Sequence, residues 1–259
     1  LDALYEELGN GRVVAGELTR GPWDPGAQHG GAPAALLMRE FESLGDGAGL
    51  PIARVTYELL RPVPLGELKV SGSVVRPGRR VQLMEGTISS AEGVEVVRAR
   101  ALCVAAAGVC AGEPDAPPAE PSEGEPIRLH LDLGGRLTFP ADGMEIRFVR
   151  GQFDELGPSF AWFRLRVPVV GGSPVTGRQR LAAAADFPNG IATVLDWREW
   201  VFINPDLTVY IEREPVGEWI GLDAAMRVSE DGCGLAEAVL YDSAGRVGRS
   251  VQTLYVAPR

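Results

Sequence analysis

Three cysteines, two histidines and a single lysine are spread through 259 residues, and basic residues are outnumbered by acidic ones, 25 against 35. Cys103, Cys110 and Cys233 form an odd, widely spaced set without a CxxC pair, so neither a disulfide framework nor a zinc site is expected. His29 and His130 are too few for a histidine-based metal centre. A net charge of -10 supplies no positive field to offset phosphate, so neither nucleic acid nor an anionic membrane surface is expected as a partner. Long hydrophobic runs are missing too. The longest uncharged stretch of small or apolar residues, 101–112, falls short of the roughly 18 residues of a membrane span, and the opening LDALYEELGNGR is acidic where a signal peptide is basic. A cytoplasmic location is the expectation.

What is present describes a folded chain: 45% of residues are hydrophobic and only 23% charged, which excludes wholesale disorder. Glycine (33) and proline (20) punctuate the chain as turns between many short elements, favouring strands over long helices. Apart from Lys69 every basic residue is arginine, which coding bias explains; the alternative is a local phosphate grip by RPGRR at 76–80 or RQR at 178–180. Between residues 105 and 126 the bulky apolar pattern disappears and proline accumulates, as in a solvated linker, which divides the chain into units 1–107 and 127–259 with 108–126 between them.

The two units repeat one another. VTYELLRPVPLGEL at 55–68 lies over TVYIEREPVGEW at 208–219, and ALCVA at 101–105 stands 152 residues before TLYVA at 253–257, the spacing that also separates Arg61 from Arg213. The same offset sets Arg100 against Gln252. Each unit reads as a helix followed by strands. Ala34, Leu37, Met38 and Phe41 follow i, i+3, i+4, i+7 and predict a helix over 31–44, with Pro33 in its first turn. Strands are expected at 55–60, 68–76, 80–89 and 94–105, then at 159–167, 207–213, 218–228, 235–241 and 247–257. A second helix is expected to start near Leu181, break at ProAsnGly 188–190 and continue through Ile191, Val194 and Leu195. A lone helix buries its surface against an antiparallel sheet only if the sheet curls round it, and two such units can cover their edges by pairing.

QHGG at 28–31, ADF at 185–187, REPVGEW at 213–219 and SVQT at 250–253 make the chain resemble the double-hotdog acyl-CoA thioesterases of the type II class. The resemblance implies an α+β fold of two fused hotdog units, each a helix wrapped by a curved antiparallel sheet, with the sheets joined. It implies hydrolysis of acyl-CoA without a cofactor, and leaves open a homo-oligomer of such subunits. In that family a helix aspartate, a small hydroxyl residue and a glutamine hold the hydrolytic water. Here these positions fall on Asp186, on Asn204 or the neighbouring Thr208, and on Gln252. Helix-start N–H groups at His29, Gly30 and Gly31 are candidates for binding the substrate oxyanion or a phosphate.

Each candidate has a plainer reading. Asp186 can cap the 188–190 break, Gln252 can face solvent on a terminal strand, Gly30 and Gly31 can form a tight turn, and His29 can hydrogen-bond the helix start. The five tryptophans read as core, with Trp197 and Trp200 able to line an acyl groove. Thiol loss at a pKa near ~8.5 needs no obligatory general acid, so one carboxylate suffices for hydrolysis. The rival activities are a hydratase or dehydratase on the same fold, which wants a His–Asp or His–Glu pair, and a non-catalytic acyl-binding module. The first helix offers Glu40 as its nearest carboxylate, so only the second unit is expected to be catalytic.

Overall fold

The structure, a computed structural model, describes residues 2–45, 49–106, 108, 112, 114–127, 129 and 134–259. His130 and Cys110 lie outside the described residues; Cys103, buried, and Cys233, exposed, are both free thiols. None of the described helices is long and apolar enough to cross a membrane.

The first unit contains β1 (Tyr5–Gly9), β2 (Arg12–Ala15), α1 (Gly31–Gly45), β3 (Ile52–Leu59), β4 (Gly66–Arg76), β5 (Val81–Ser90) and β6 (Glu95–Val104). The second contains β7 (Glu125–Pro126), β8 (Met144–Arg150), β9 (Ser159–Leu165), α2 (Gly177–Ala184), α3 (Pro188–Ile191), β10 (Trp200–Ile203), β11 (Asp206–Ile211), β12 (Trp219–Val228), β13 (Cys233–Asp242) and β14 (Gly245–Pro258). All the strands belong to one antiparallel sheet in the order β1-β2-β4-β5-β6-β3-β11-β14-β13-β12-β9-β8-β7, with β10 alongside β14. Period-two burial drives it: every second residue of β5 is buried, from Gln82 to Ser90. Those inward residues close on α1, whose Leu37, Met38 and Phe41 are fully buried, and α1 packs in turn against α2. Each large apolar side chain so buried contributes about 1.5–3 kcal/mol.

The units join where β3 pairs with β11. Thr56 faces Thr208, and the Thr208 hydroxyl lies 3.2 Å from that of Thr56, across a separation of 152 residues. Equivalent residues of a duplicated strand face one another only at a local twofold axis, so the sequence repeat and the pairing describe one symmetry. The repeat is not uniform. Thr56 pairs with Arg100 on β6, whereas Thr208 pairs with Val251 on β14, so the last strand is displaced by one residue. The structural counterpart of Gln252 is therefore Ala101, not Arg100. Both are fully buried, while Arg100 points outward to Glu85.

Three further expectations are corrected. The second helix begins four residues before Leu181, because the Thr176 hydroxyl accepts the Gln179 N–H as an N-cap. It resumes only as the short α3 and stops at Ile191, where the Thr193 hydroxyl bonds both the N–H and C=O of Leu195 and turns the chain away. The proline-rich stretch is not a free tether. Trp162 Nε1 donates to Ala119 O (3.0 Å), Arg246 N to Asp115 O (2.7 Å), and β7 adds to the edge of β8. Strands β1, β2, β7, β8 and β10 were not anticipated.

Since the β3–β11 ladder and the α1–α2 contact join the units directly, cutting the strap should not separate them. Proteolytic cleavage within residues 114–121 is expected to leave both fragments eluting together on gel filtration. Separate elution would mean that the strap, not the ladder, holds the units.

Candidate active site

The chain leaves α2 through four buried alanines, Ala182–Ala185, and the next residue is Asp186, 4% exposed. Small residues let α1 approach closely, and the approach is tightest at its start. A Cβ on Gly31 would lie 2.3 Å from Ala183 O, and one on Gly30 would lie 2.6 Å from Asp186 Oδ2, so only glycine fits either position. The start of α1 is thus brought against the carboxylate, and the N–H groups of Gly30 and Gly31 hydrogen-bond to it. From the sheet side, Asn204 Nδ2 (2.8 Å) and Gln252 Nε2 (2.7 Å) both donate to Asp186 Oδ1. His29 Nδ1 lies 3.2 Å from Oδ2 and also accepts the Gly31 N–H at 3.1 Å.

Burial dominates the titration of this group. It pushes the Asp186 carboxyl up to about 7, against the opposing pull of its four hydrogen-bond donors. Burial likewise drives His29 down to about 3, its ring being stacked on Phe187 with centroids 4.5 Å apart and lying 5.1 Å from Phe139. The imidazole is neutral at physiological pH, and the carboxyl is poised near neutrality. Gln252 Oε1 is buried without a hydrogen-bond partner among the described residues.

A cavity of about 350 Å³ opens beside these groups. His29, Gly30, Asp186 and Asn204 supply its polar wall; Trp23, Leu59, Val63 and Ile203 are among its apolar lining, and exposed Arg61 is the one arginine on it. Of the sequence candidates, His29, Gly30, Asp186 and Asn204 line this cavity, while Gln252 bonds Asp186 and Gly31 bonds His29 without being part of its lining. Thr208 stays at the joint of the two units on Thr56 and does not line the cavity, whereas Asn204 does. Neither Trp197 nor Trp200 lines the cavity; Trp23 does, set edge-on against Phe202 at 5.3 Å. The Gly30 and Gly31 N–H groups, expected to meet a substrate oxyanion, lie beside Asp186, and that of Gly31 is taken by His29 Nδ1. The arginine clusters lie elsewhere too: Arg178 pairs with Glu214, and Arg180 reaches Gly217 O at 3.5 Å.

Asn189 was missed. It is 6% exposed, lines the cavity and contacts Asn204 Oδ1 at 3.4 Å. The signal was available, since Asn189 follows Asp186 at i+3 across a helical turn and so shares its face, but ProAsnGly reads first as a helix break.

A buried carboxyl that titrates near neutrality, held by two amides on one oxygen and an imidazole beside the other, can take a proton from a group in the cavity. Residues 19–104 match the model of an acyl-CoA thioesterase N-terminal domain, and residues 113–256 that of an acyl-CoA thioesterase C-terminal domain. Among solved structures, the chain is similar to an acyl-CoA thioesterase II, TesB2, of Mycobacterium marinum (16% identity, 98% of this chain and 95% of that one, TM-score 0.66). It is also similar to a tesB protein of Mycobacterium avium subs paratuberculosis (18%, 98% and 96%, 0.64). A third similar structure is a protein of unknown function with a hot dog fold from Alicyclobacillus acidocaldarius (18%, 100% and 97%, 0.73). No curated protein matches significantly. With both domain models matched in order over most of its length, this chain of two fused hotdog units belongs to the acyl-CoA thioesterase family and is a thioesterase.

Proposed function

We propose that the chain hydrolyses acyl-CoA to free acid and coenzyme A, with Asp186 as the base that draws a proton from water and with Gln252 and Asn204 holding the reacting groups. The observation that carries this reading is the carboxylate itself, buried in the cavity wall with both amides on one oxygen. Arg61, at the exposed rim, is the candidate for the coenzyme A phosphates, offsetting locally the net charge of -10. A cytoplasmic site of action belongs to the same proposal.

The His29–Asp186 contact is the pair that a hotdog hydratase would need, and it favours that as the second reading. The two separate cleanly: thiol release from saturated acyl-CoA esters supports hydrolysis, whereas water addition to a 2-enoyl-CoA without thiol release supports hydration. An acyl-binding module would do neither.

Asp186→Asn is expected to lower thiol release by roughly 10²–10⁴-fold, since it removes the base but keeps the shape. The same variant has a signature in stability. A folded-state pKa of about 7, raised above the ordinary 3.8, means that the folded chain holds the proton over the window between them while the unfolded chain does not. Ionisation of Asp186 therefore costs stability as pH rises through that window, so Asp186→Asn should raise Tm at pH 8 relative to wild type and leave it nearly unchanged below pH 4. Wild-type turnover in the variant would leave Asp186 as a helix cap. A second expectation is that Arg61→Ala raises KM severalfold with kcat preserved; unchanged KM would move the phosphate contact elsewhere.

Only the second unit's helix carboxylate is proposed to be catalytic. Its counterpart across the local twofold is Glu42, not Glu40, for Glu42 meets the start of α2 as Asp186 meets the start of α1. Thr176 Oγ1 (2.8 Å) and Gln179 Nε2 (2.7 Å) donate to it, and Arg178, paired with Glu214, stands 4.0 Å away. Glu42→Gln should leave kcat within about twofold; because burial raises the Glu42 pKa as it raises that of Asp186, its charge costs folded-state stability as pH rises, so the Tm of the variant at pH 8 should be no lower than that of wild type. A loss of activity matching that of Asp186→Asn would refute the asymmetry.

A further inference from the structure

We propose that His29 is a catalytic residue: its Nδ1 receives the hydrogen bond of the protonated Asp186 carboxyl, and its Nε2–H is the donor offered to the thioester carbonyl oxygen. The inference rests on Asp186 being the base.

The geometry assigns the tautomer. Gly31 N–H points at Nδ1 (3.1 Å), so in the neutral ring that nitrogen carries a lone pair and the hydrogen resides on Nε2. The lone pair also faces Asp186 Oδ2 at 3.2 Å. Two acceptors opposed at that distance repel when the carboxylate is ionised and bond when a proton lies between them, so His29 favours the state Asp186 reaches after it has taken a proton. The ring is fixed for this by Phe187 and Phe139 on its faces. Nε2 has no hydrogen-bond partner among the described residues, on a side chain that lines the cavity. Of the donors beside Asp186, the Gly31 N–H is taken by Nδ1 itself, and Asn204 Nδ2 is divided between Asp186 and Asp206 O. The remaining charged residues on the cavity are Asp24 and Arg61, and the Asp206 carboxylate is taken by the Thr253 N–H at 2.8 Å.

The step balances without a co-reactant. A water proton passes to Asp186 and bonds to Nδ1, while the water oxygen bonds to the acyl carbon. The carbonyl pair shifts onto its oxygen, where Nε2–H donates. Collapse then breaks the C–S bond, and the departing sulfur takes the proton back from Asp186, giving acid and thiol.

The two nitrogens can be tested apart, by pH profiles of kcat for thiol release from one acyl-CoA. His29→Phe keeps the stacked ring but removes both nitrogens; the midpoint of the acid limb should fall, and kcat at its plateau should fall roughly 10²-fold. His29→Asn keeps an acceptor where Nδ1 stands but has no group at Nε2, so the midpoint should hold near the wild-type value while kcat falls comparably. A residue that only supports the helix start would move neither midpoint. An unshifted midpoint in the Phe variant, or wild-type kcat in the Asn variant, overturns the proposal, and the Asn variant decides alone if the Phe variant does not fold. Activity surviving in Asp186→Asn would instead remove the base, and with it the reading on which this inference stands.

Discussion

The pairing of β3 with β11 is the constraint on which the site depends, because the site belongs to neither unit alone. Asp186, Asn204 and Gln252 come from the second unit, while His29, Gly30 and Gly31 come from the first. Five residue pairs in register, from Asp206 with Glu58 to Tyr210 with Arg54, fix the two sheets against sliding. A shift by one residue, roughly 3.4 Å, would carry the start of α1 out of hydrogen-bonding reach of Asp186. The alanines of α2 and the two glycines of α1 then set how closely the helices meet, and no larger residue preserves that distance.

Burying a carboxylate costs several kcal/mol, and the two units offset that cost differently. Around Glu42 the donors include Thr176 and Gln179, with the Arg178 guanidinium nearby, although burial still raises its pKa. Around Asp186 the donors are neutral amides and N–H groups, and the nearest ring nitrogen belongs to an uncharged imidazole. Neutral donors orient the carboxylate but do not compensate its charge as a guanidinium does, which is why desolvation wins there and the group is held near neutrality. The same helix-start contact thus places a carboxyl beside a guanidinium in one unit and among neutral donors in the other.

Much of this was legible in the sequence where periodicity carried it. The i, i+3, i+4, i+7 pattern of α1 and the alternation of the nine anticipated strands follow from burial on one face, and the structure has them within a few residues. Asp186 and Gln252 stood out because a charge after four alanines and an amide in an apolar strand both require partners. What failed did so for identifiable reasons. β1, β7 and β10 are short and polar or irregular, so no alternation marks them; β8, MEIRFVR, does alternate and was simply overlooked. Thr208 was a candidate because it carries a hydroxyl, but its direction is set by the strand pairing, which sequence spacing alone does not report. Trp23 and Arg61 reach the cavity through tertiary folding of segments without any periodic signal.

The one-residue displacement of β14 has a local cause. In the first unit Ser90 N bonds Val94 O, enclosing Ala91, Glu92 and Gly93 in the turn from β5 to β6. In the second, Asp242 pairs with Gly245, leaving only Ser243 and Ala244 between β13 and β14. The turn is one residue shorter, so every later residue of β14 is advanced by one against β6. Because successive side chains alternate between faces, that single deletion exchanges which residues of the aligned sequences point inward. An alignment at a constant offset therefore sets the outward Arg100 beside the inward Gln252, though Ala101 occupies the matching place. A buried amide beside Asp186 and a buried methyl in the other unit are thus the same sheet position with different chemistry. The chemical asymmetry of the duplication resides there as well as in the helix carboxylates, since Ala101 carries no side-chain donor with which to hold Glu42 as Gln252 holds Asp186.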